Sequence, residues 1–134
     1  MLKLFFTISF LALGAFVVAP PELPLTTEQI SMSDVLLVMT NKRFGCVGIV
    51  AADGRLAGII TDGDLRRHMG ADLLDATAAE VMTRDPRTIG PDALASEALG
   101  IMNDRSITNL FVVDEGRKPL GIIHIHDCLR AGIA

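Results

Sequence analysis

Tryptophan and tyrosine are missing from these 134 residues, and six Phe are the only aromatic side chains. The interior must therefore be built from Val, Ile, Leu, Met and Ala, and platforms on which bases stack are scarce. A basic surplus is missing too: 12 Lys and Arg stand against 16 Asp and Glu, a net charge of -4. General nucleic-acid binding needs the opposite balance to neutralise phosphates, so no nucleic-acid partner is expected, although a local basic pocket stays open. Cysteine is nearly absent. Cys46 and Cys128 lie far apart with no Cys-x-x-Cys spacing for a metal or redox pair, and they read as reduced, partly buried, inert thiols. A cytoplasmic protein fits that usage. What is abundant is apolar residues, 50% of the chain, enough for one domain or two half-domains sharing a core.

Charge is lacking from Leu4 to Pro21, which sets residues 1–19 apart as an apolar leader. Three readings compete. A signal peptide would use Val17, Val18 and Ala19 as its small-residue cleavage site, with Pro20 hindering the cut. A membrane anchor is marginal in length, since a spanning helix needs about 20 apolar residues. A displaced gene start or truncation is favoured by the rest of the sequence, so export and anchoring rank behind a cytoplasmic location.

That support comes from an internal repeat. GIITDGDLRR, Gly58 to Arg67, returns 63 residues later as GIIHIHDCLR, Gly121 to Arg130, without a gap. The same register places Ser33 on Ser96, Leu36 on Leu99, Met39 on Met102 and Val50 on Val113. One supersecondary unit is used twice, as expected where a single copy cannot bury its own apolar face. Function is then expected where the copies meet. Val81, Met82 and Thr83 open the second copy, whereas the matching positions of the first hold Val18, Ala19 and Pro20, so the first copy lacks its natural opening. The resulting division is 1–19 leader, 20–70 first unit, 71–79 linker and 80–134 second unit.

Periodicity gives each unit the order helix, strand, strand, helix. Met32, Val35, Leu36 and Met39 form a buried stripe on a helix from about Ser31 to Arg43, capped by Ser31 or Ser33. Val47 to Ala51 and Leu56 to Thr61 are strands around the Asp53-Gly54 turn, and a short helix begins near Gly63, capped by Thr61 or Asp62, and ends around Gly70. In the second copy Pro91 favours a helix start near Asp92, with Ala95, Ala98, Leu99 and Met102 buried. Leu110 to Val113 and Leu120 to His124 are strands around Glu115-Gly116-Arg117, followed by a helix from about His126 to Ala131.

The segment after the second strand carries the candidate chemistry. Gly58 and Gly121 are read as ending a turn beside a strand, where a missing side chain lets backbone or ligand approach closely. Thr61 supplies a hydroxyl that can cap the next helix or donate to a phosphate, and the helix start presents free N–H groups. Asp64 is an acceptor-only carboxylate suited to paired sugar hydroxyls, and Arg66 and Arg67 offer guanidinium forks one turn on. Asp64 and Arg67 recur as Asp127 and Arg130. A structural reading stands beside this: Thr61 is also a common helix cap, and Asp64 suits a helix first turn without any ligand. In the second copy His124 replaces Thr61 and His126 replaces Gly63. A metal held by His124, His126 and Asp127 lacks a further ligand and is not assigned; a neutral His satisfying the backbone, or one tuning a phosphate pocket with pH, remains.

Taken together, VMTRDPRTIGPDALASEALGIM, LFVVDEGRKPLGII and the first copy MSDVLLVMTNKRFGCVGIVAADGRLAGIITDGDLRR resemble a pair of cystathionine-beta-synthase (CBS) domains, a Bateman module, over about Leu23 to Ala134. TDGDLRR and HIHDCLRAG are more narrowly similar to the carboxy-terminal CBS pair of bacterial arabinose-5-phosphate isomerases. The resemblance implies an α/β (α+β) fold, a tandem CBS pair of two β-α-β-β-α units related by a pseudo-twofold axis. It also implies a non-catalytic regulatory module, commonly a homodimer, that binds AMP, ADP, ATP or a sugar phosphate. The matching Thr and Asp of the family contact phosphate and ribose, which implies Thr61 and Asp64 here. Gly58, Thr61, Asp64, Arg67, His124, Asp127 and Arg130 are thus the candidate ligand residues, with no catalytic residue, metal or cofactor assigned. The catalytic sugar isomerase domain of that family has no counterpart in these residues, so isomerase activity is expected of a partner domain, not of this chain. The alternatives are a fragment of such an isomerase and a purely structural dimerisation module.

Overall fold

The computed structural model describes residues 23–42, 44–70 and 72–130; the apolar leader at 1–19 lies outside them. Strand β1 (Leu25–Thr27) leads into helix α1 (Met32–Lys42), strands β2 (Cys46–Val50) and β3 (Leu56–Thr61) and helix α2 (Asp62–Arg67). A 3-10 turn at Leu73–Asp75 precedes α3 (Ala78–Val81) and β4 (Thr83–Arg84). The order then recurs as β5 (Thr88–Ile89), α4 (Ala95–Arg105), β6 (Asn109–Val113), β7 (Pro119–His124) and α5 (Ile125–Arg130). Shifting α1, β2, β3 and α2 by the 63-residue repeat gives the bounds of α4, β6, β7 and α5 with no slippage.

Pairing repeats with the elements. Strand β1 runs parallel to β2, with Leu25 beside Gly48, as β5 runs parallel to β6, with Thr88 beside Phe111. Strands β2 and β3 are antiparallel with Cys46 opposite Thr61, and β6 and β7 match them with Asn109 opposite His124. Even the register shift recurs, between Ile49 and Val50 and between Val112 and Val113. A one-residue slip would turn every side chain to the wrong face, so this coincidence reflects the buried pattern shared by both copies.

Pro24–Pro86 forms one compact unit, and residues 87–130 belong with Leu23 to another. In the first, Met32, Val35, Met39, Val47, Ile49 and Ile60 pack with Ala78, Val81 and Met82. In the second, Ala95, Ala98, Leu99, Met102, Leu110, Val112 and Ile123 pack with Ile89 and Cys128. The helix residues shrink from Met32 and Val35 to Ala95 and Ala98, while Val47 grows to Leu110, the volume exchange a close-packed core requires. Leu36 is only half-buried, unlike its counterpart Leu99.

Two local expectations are corrected. Helix α4 starts at Ala95, not near Asp92, because the Ala93 N–H closes a turn on the Gly90 carbonyl and Pro91 sits inside that turn, where its fixed backbone angle is at home. Residues 72–86, expected to divide between linker and second unit, pack with the first unit instead. The Met32 N–H donates to Ala76 O at 2.9 Å, Ala78 and Ala79 donate to Ile30 O and Glu28 O, and β4 pairs antiparallel with β3. The opening of the second sequence repeat thereby completes the first sheet, in the order β1-β2-β3-β4.

Gly58 marks the price of that join. A Cβ there would stand 2.6 Å from Met82 Sδ and 2.8 Å from the Thr83 carbonyl. Gly100, on the exposed side of α4, meets nothing within 4 Å. Gly58→Ala should therefore destabilise by about 1–3 kcal/mol through forced displacement of β4, whereas Gly100→Ala should stabilise by about 0.5–1 kcal/mol through helix entropy. Urea unfolding of the two variants checks the opposite signs; equal effects would contradict the packing described.

Candidate functional site

The strand-to-helix junction at Thr61 is where the candidate residues of the first unit converge. Thr61 is extended (φ -119°, ψ 173°), which ends β3 and leaves the first N–H groups of α2 in need of partners. The Asp64 N–H donates to Thr61 Oγ1 at 3.3 Å, and the Thr61 N–H donates back to Asp64 Oδ2 at 2.9 Å, a reciprocal capping box. The Thr61 hydroxyl donates to the same Oδ2 at 3.1 Å. On the other carboxylate oxygen, Oδ1, Thr83 donates its hydroxyl at 2.6 Å and Arg67 donates Nη2. Asp64 thus ties β3, α2 and β4 together while remaining 2% exposed. His68 Nδ1 secures the end of the turn on the Asp64 carbonyl at 3.0 Å.

Burial by itself would raise the Asp64 pKa; the donors from Thr83, Thr61 and Arg67 together outweigh it and hold the carboxyl below its ordinary value. It is an ionised group at neutral pH. Arg67 is an exposed side chain that reaches inward to this carboxylate, and Arg66 is exposed beside it. Gly58 lies within β3 rather than at a turn, and its missing side chain admits Met82 and the Thr83 backbone.

The second unit keeps the frame and changes the contents. Asp127 is 30% exposed and pairs with Arg130 at the same i, i+3 spacing as Asp64 with Arg67. His124 occupies the position of Thr61 and accepts the His126 N–H on Nδ1 at 3.0 Å, with the two rings stacked at 4.8 Å between centroids. Burial first, then the neighbouring His126, push the His124 pKa down; Arg130 adds to this and Asp127 opposes it. The neutral ring is the form that can accept the cap hydrogen bond. Gly121 is buried within β7.

Thr83 is the partner of Asp64 that residue-by-residue reading of the sequence passed over. The signal was the repeat itself, which gives the matching position of the other copy to Pro20, a residue with no hydroxyl. An open cavity of about 520 Å³ lies in the first unit between His68, Leu73 and Val81, but Asp72, Asp75 and Glu80 line it, which suits no phosphate. Glu80 is also occupied, accepting the Thr77 N–H at 2.8 Å. Among the described residues no group of three His, Cys, Asp or Glu is placed to hold a metal ion, and no helix is long and apolar enough to cross a membrane. Both cysteines are buried and unbonded, and burial followed by a nearby carboxylate pushes their thiols up to about 12 for Cys46 and about 11 for Cys128.

Two copies of one small α/β unit, each ending in an Asp–Arg pair at a strand-to-helix junction, define a tandem-repeat module. The chain belongs to the CBS domain family, whose model matches residues 16–71 and 78–134. It is 46% identical over 114 residues to arabinose 5-phosphate isomerase KdsD of Yersinia pestis, covering 84% of this chain and 34% of that protein. The chain thus spans about a third of the length of the curated relatives it matches. Among solved structures it resembles the cytosolic domain of the Mg2+ channel MgtE in complex with ATP, at 26% identity and a TM-score of 0.74, over 88% of this chain and 47% of that one. It equally resembles the CBS domain pair of protein MJ0100 in complex with 5′-methylthioadenosine and S-adenosyl-L-methionine, at 26% identity and a TM-score of 0.74, over 87% and 90% of the two chains. The expected tandem CBS fold is therefore present.

Two outcomes follow. A carboxylate with a lowered folded pKa contributes stability that is present at neutral pH and lost as the pH falls through the carboxylate range. Thr83→Val should cost about 1–3 kcal/mol at neutral pH, and its stability should fall less on acidification than that of the unaltered protein, as read by urea unfolding across pH; parallel profiles would contradict the role given to Thr83. His124 has its charged form disfavoured by the fold, so it too contributes stability that is lost as the pH falls. By proton NMR its ring should titrate below a histidine in an unstructured peptide, and a midpoint at or above that value would contradict the capping geometry.

Proposed function

We propose that this chain is a non-catalytic regulatory CBS pair that binds an adenosine nucleotide, AMP, ADP or ATP, or a related phosphorylated ligand such as a sugar phosphate. The observation that carries the reading is the likeness to two CBS structures solved with adenosine-bearing ligands, at an identity high enough to compare more than fold. In the first unit Thr61, Asp64 and Arg67, with Gly58 beneath them, would meet the ligand, and in the second His124, Asp127 and Arg130 would. Ligand binding would act by favouring one state of the module over another, which requires a difference in affinity between the states. The module would work in the cytoplasm as a homodimer.

A second reading rests on the identity to the Yersinia pestis isomerase: the module would be the CBS portion of an arabinose 5-phosphate isomerase and would regulate a sugar isomerase domain. The two readings share a ligand test. Thermal unfolding of the full chain with millimolar AMP, ADP, ATP or arabinose 5-phosphate should show a rise in midpoint with at least one nucleotide, because a ligand bound only by the folded form stabilises it. A rise with the sugar phosphate alone would favour the isomerase-linked variant, and no rise with any of the four would overturn ligand sensing and leave a structural module.

A further inference from the structure

The chain crosses between units at the same place in each repeat. The first unit runs from Pro24 to Pro86, and Leu23 on one side and Arg87 on the other belong to the second. Those two crossings are 63 residues apart, the length of one repeat. Just before the later crossing, α3 sends Ala78, Val81 and Met82 into the first core. Strand β4 then covers the outer edge of β3, with Arg84 beside Gly58 and Thr83 beside Ile59. The second unit offers a matching edge. Among the described residues no strand pairs with the outer side of β7, whose Gly121 and Ile122 are the counterparts of Gly58 and Ile59. Its core cluster, among the same residues, begins only at Ile89.

The residues 63 positions before α3 and β4 are Ala15 to Pro21. Ala15 and Val18 repeat the buried Ala78 and Val81 unchanged, at the i, i+3 spacing of one helix face. We infer that Ala15 to Pro21 is the cover of the second unit: Ala15 and Val18 enter its core as Ala78 and Val81 enter the first, and Pro20 and Pro21 lie along the outer edge of β7. Reach selects this occupant over a second copy of the chain. Glu22 alone separates Pro21 from Leu23, which is already buried in the second unit, and one residue spans only about 3.5 Å. The cover is not a copy of β4, because prolines have no N–H to donate and the segment is held by apolar burial in place of ladder hydrogen bonds. The same two prolines offer no donors to a further strand, which guards the edge against pairing with another chain. Pro20 also brings no hydroxyl to the place from which Thr83 bonds to Asp64, in keeping with an Asp127 that, among the described residues, bonds to Arg130 alone. The apolar character of the leader then serves the fold of the second unit.

Hydrogen exchange of the full chain, read by mass spectrometry on peptides from β3 and β7, tests this. Val18→Asp puts a charge into the contact and should speed exchange in β7 at least about tenfold more than in β3. Val81→Asp, at the counterpart position, should favour β3 instead, and Leu4→Asp, outside the segment, should change neither strand. Should Val18→Asp unfold the whole chain, photo-cross-linking from p-benzoylphenylalanine placed at position 16 of the otherwise unaltered protein gives the second readout. Cross-links within one chain to residues 119–124 support the inference; cross-links to the first unit, to another copy, or none at all overturn it. A folded Val18→Asp variant with β7 exchange unchanged overturns it as well, and so does full protection of β7 in a chain cleaved after Ala19.

Discussion

A buried carboxylate that must be fully hydrogen-bonded is the constraint on which the first unit is built. An ionised group out of water is costly unless its acceptors are filled, and Asp64 is filled from three directions: its own helix, the strand before it and a strand from the next repeat. Removing any donor leaves the charge undersatisfied in a place water does not reach. That requirement explains why β4 lies on β3, why Gly58 has no side chain and why Thr83, although it opens the second sequence copy, belongs to the first structural unit.

The second unit shows what the same frame does when that constraint is relaxed. Asp127 is more exposed than Asp64 and among the described residues bonds to Arg130, and the cap position passes from a threonine to a neutral histidine that accepts a backbone N–H. Two units that match in the lengths of α1 and α4, β2 and β6, β3 and β7, and α2 and α5 therefore carry junctions of different chemistry. The sequence comparison alone favours the first junction, where Thr61 matches the family pattern. The donor count shows that its Asp64 is already filled by Thr61, Thr83 and Arg67.

Much of the fold was legible in the chain because it depends on local pattern. The apolar stripe of Met32, Val35 and Met39 located α1, the Asp53-Gly54 and Glu115-Gly116 signals located the hairpins, and the repeat carried each assignment to the other copy. The misses have physical causes. Pro91 is as suited to the turn closed by Gly90 and Ala93 as to a helix start, so its presence does not date the first helical residue. Gly58 was read as room beside a turn for backbone or ligand to approach; it lies within β3, and the room is taken by Met82 and the Thr83 backbone, a contact made across about 25 residues and invisible to periodicity. Thr61, Asp64 and Arg67 were found as a group because a capping box and an i, i+3 ion pair are written in adjacent residues. Thr83 was not, because only the folded sheet brings it to Asp64.

The central claim is that the Asp64 carboxylate is ionised and saturated inside the folded first unit. Carbon-13 NMR of its side-chain carboxyl, followed through acid titration of the native protein, tests this most directly. The donor set requires a midpoint below that of an aspartate in the unfolded chain. A midpoint at or above the unfolded value would mean that burial prevails over the hydrogen bonds, and would contradict the account.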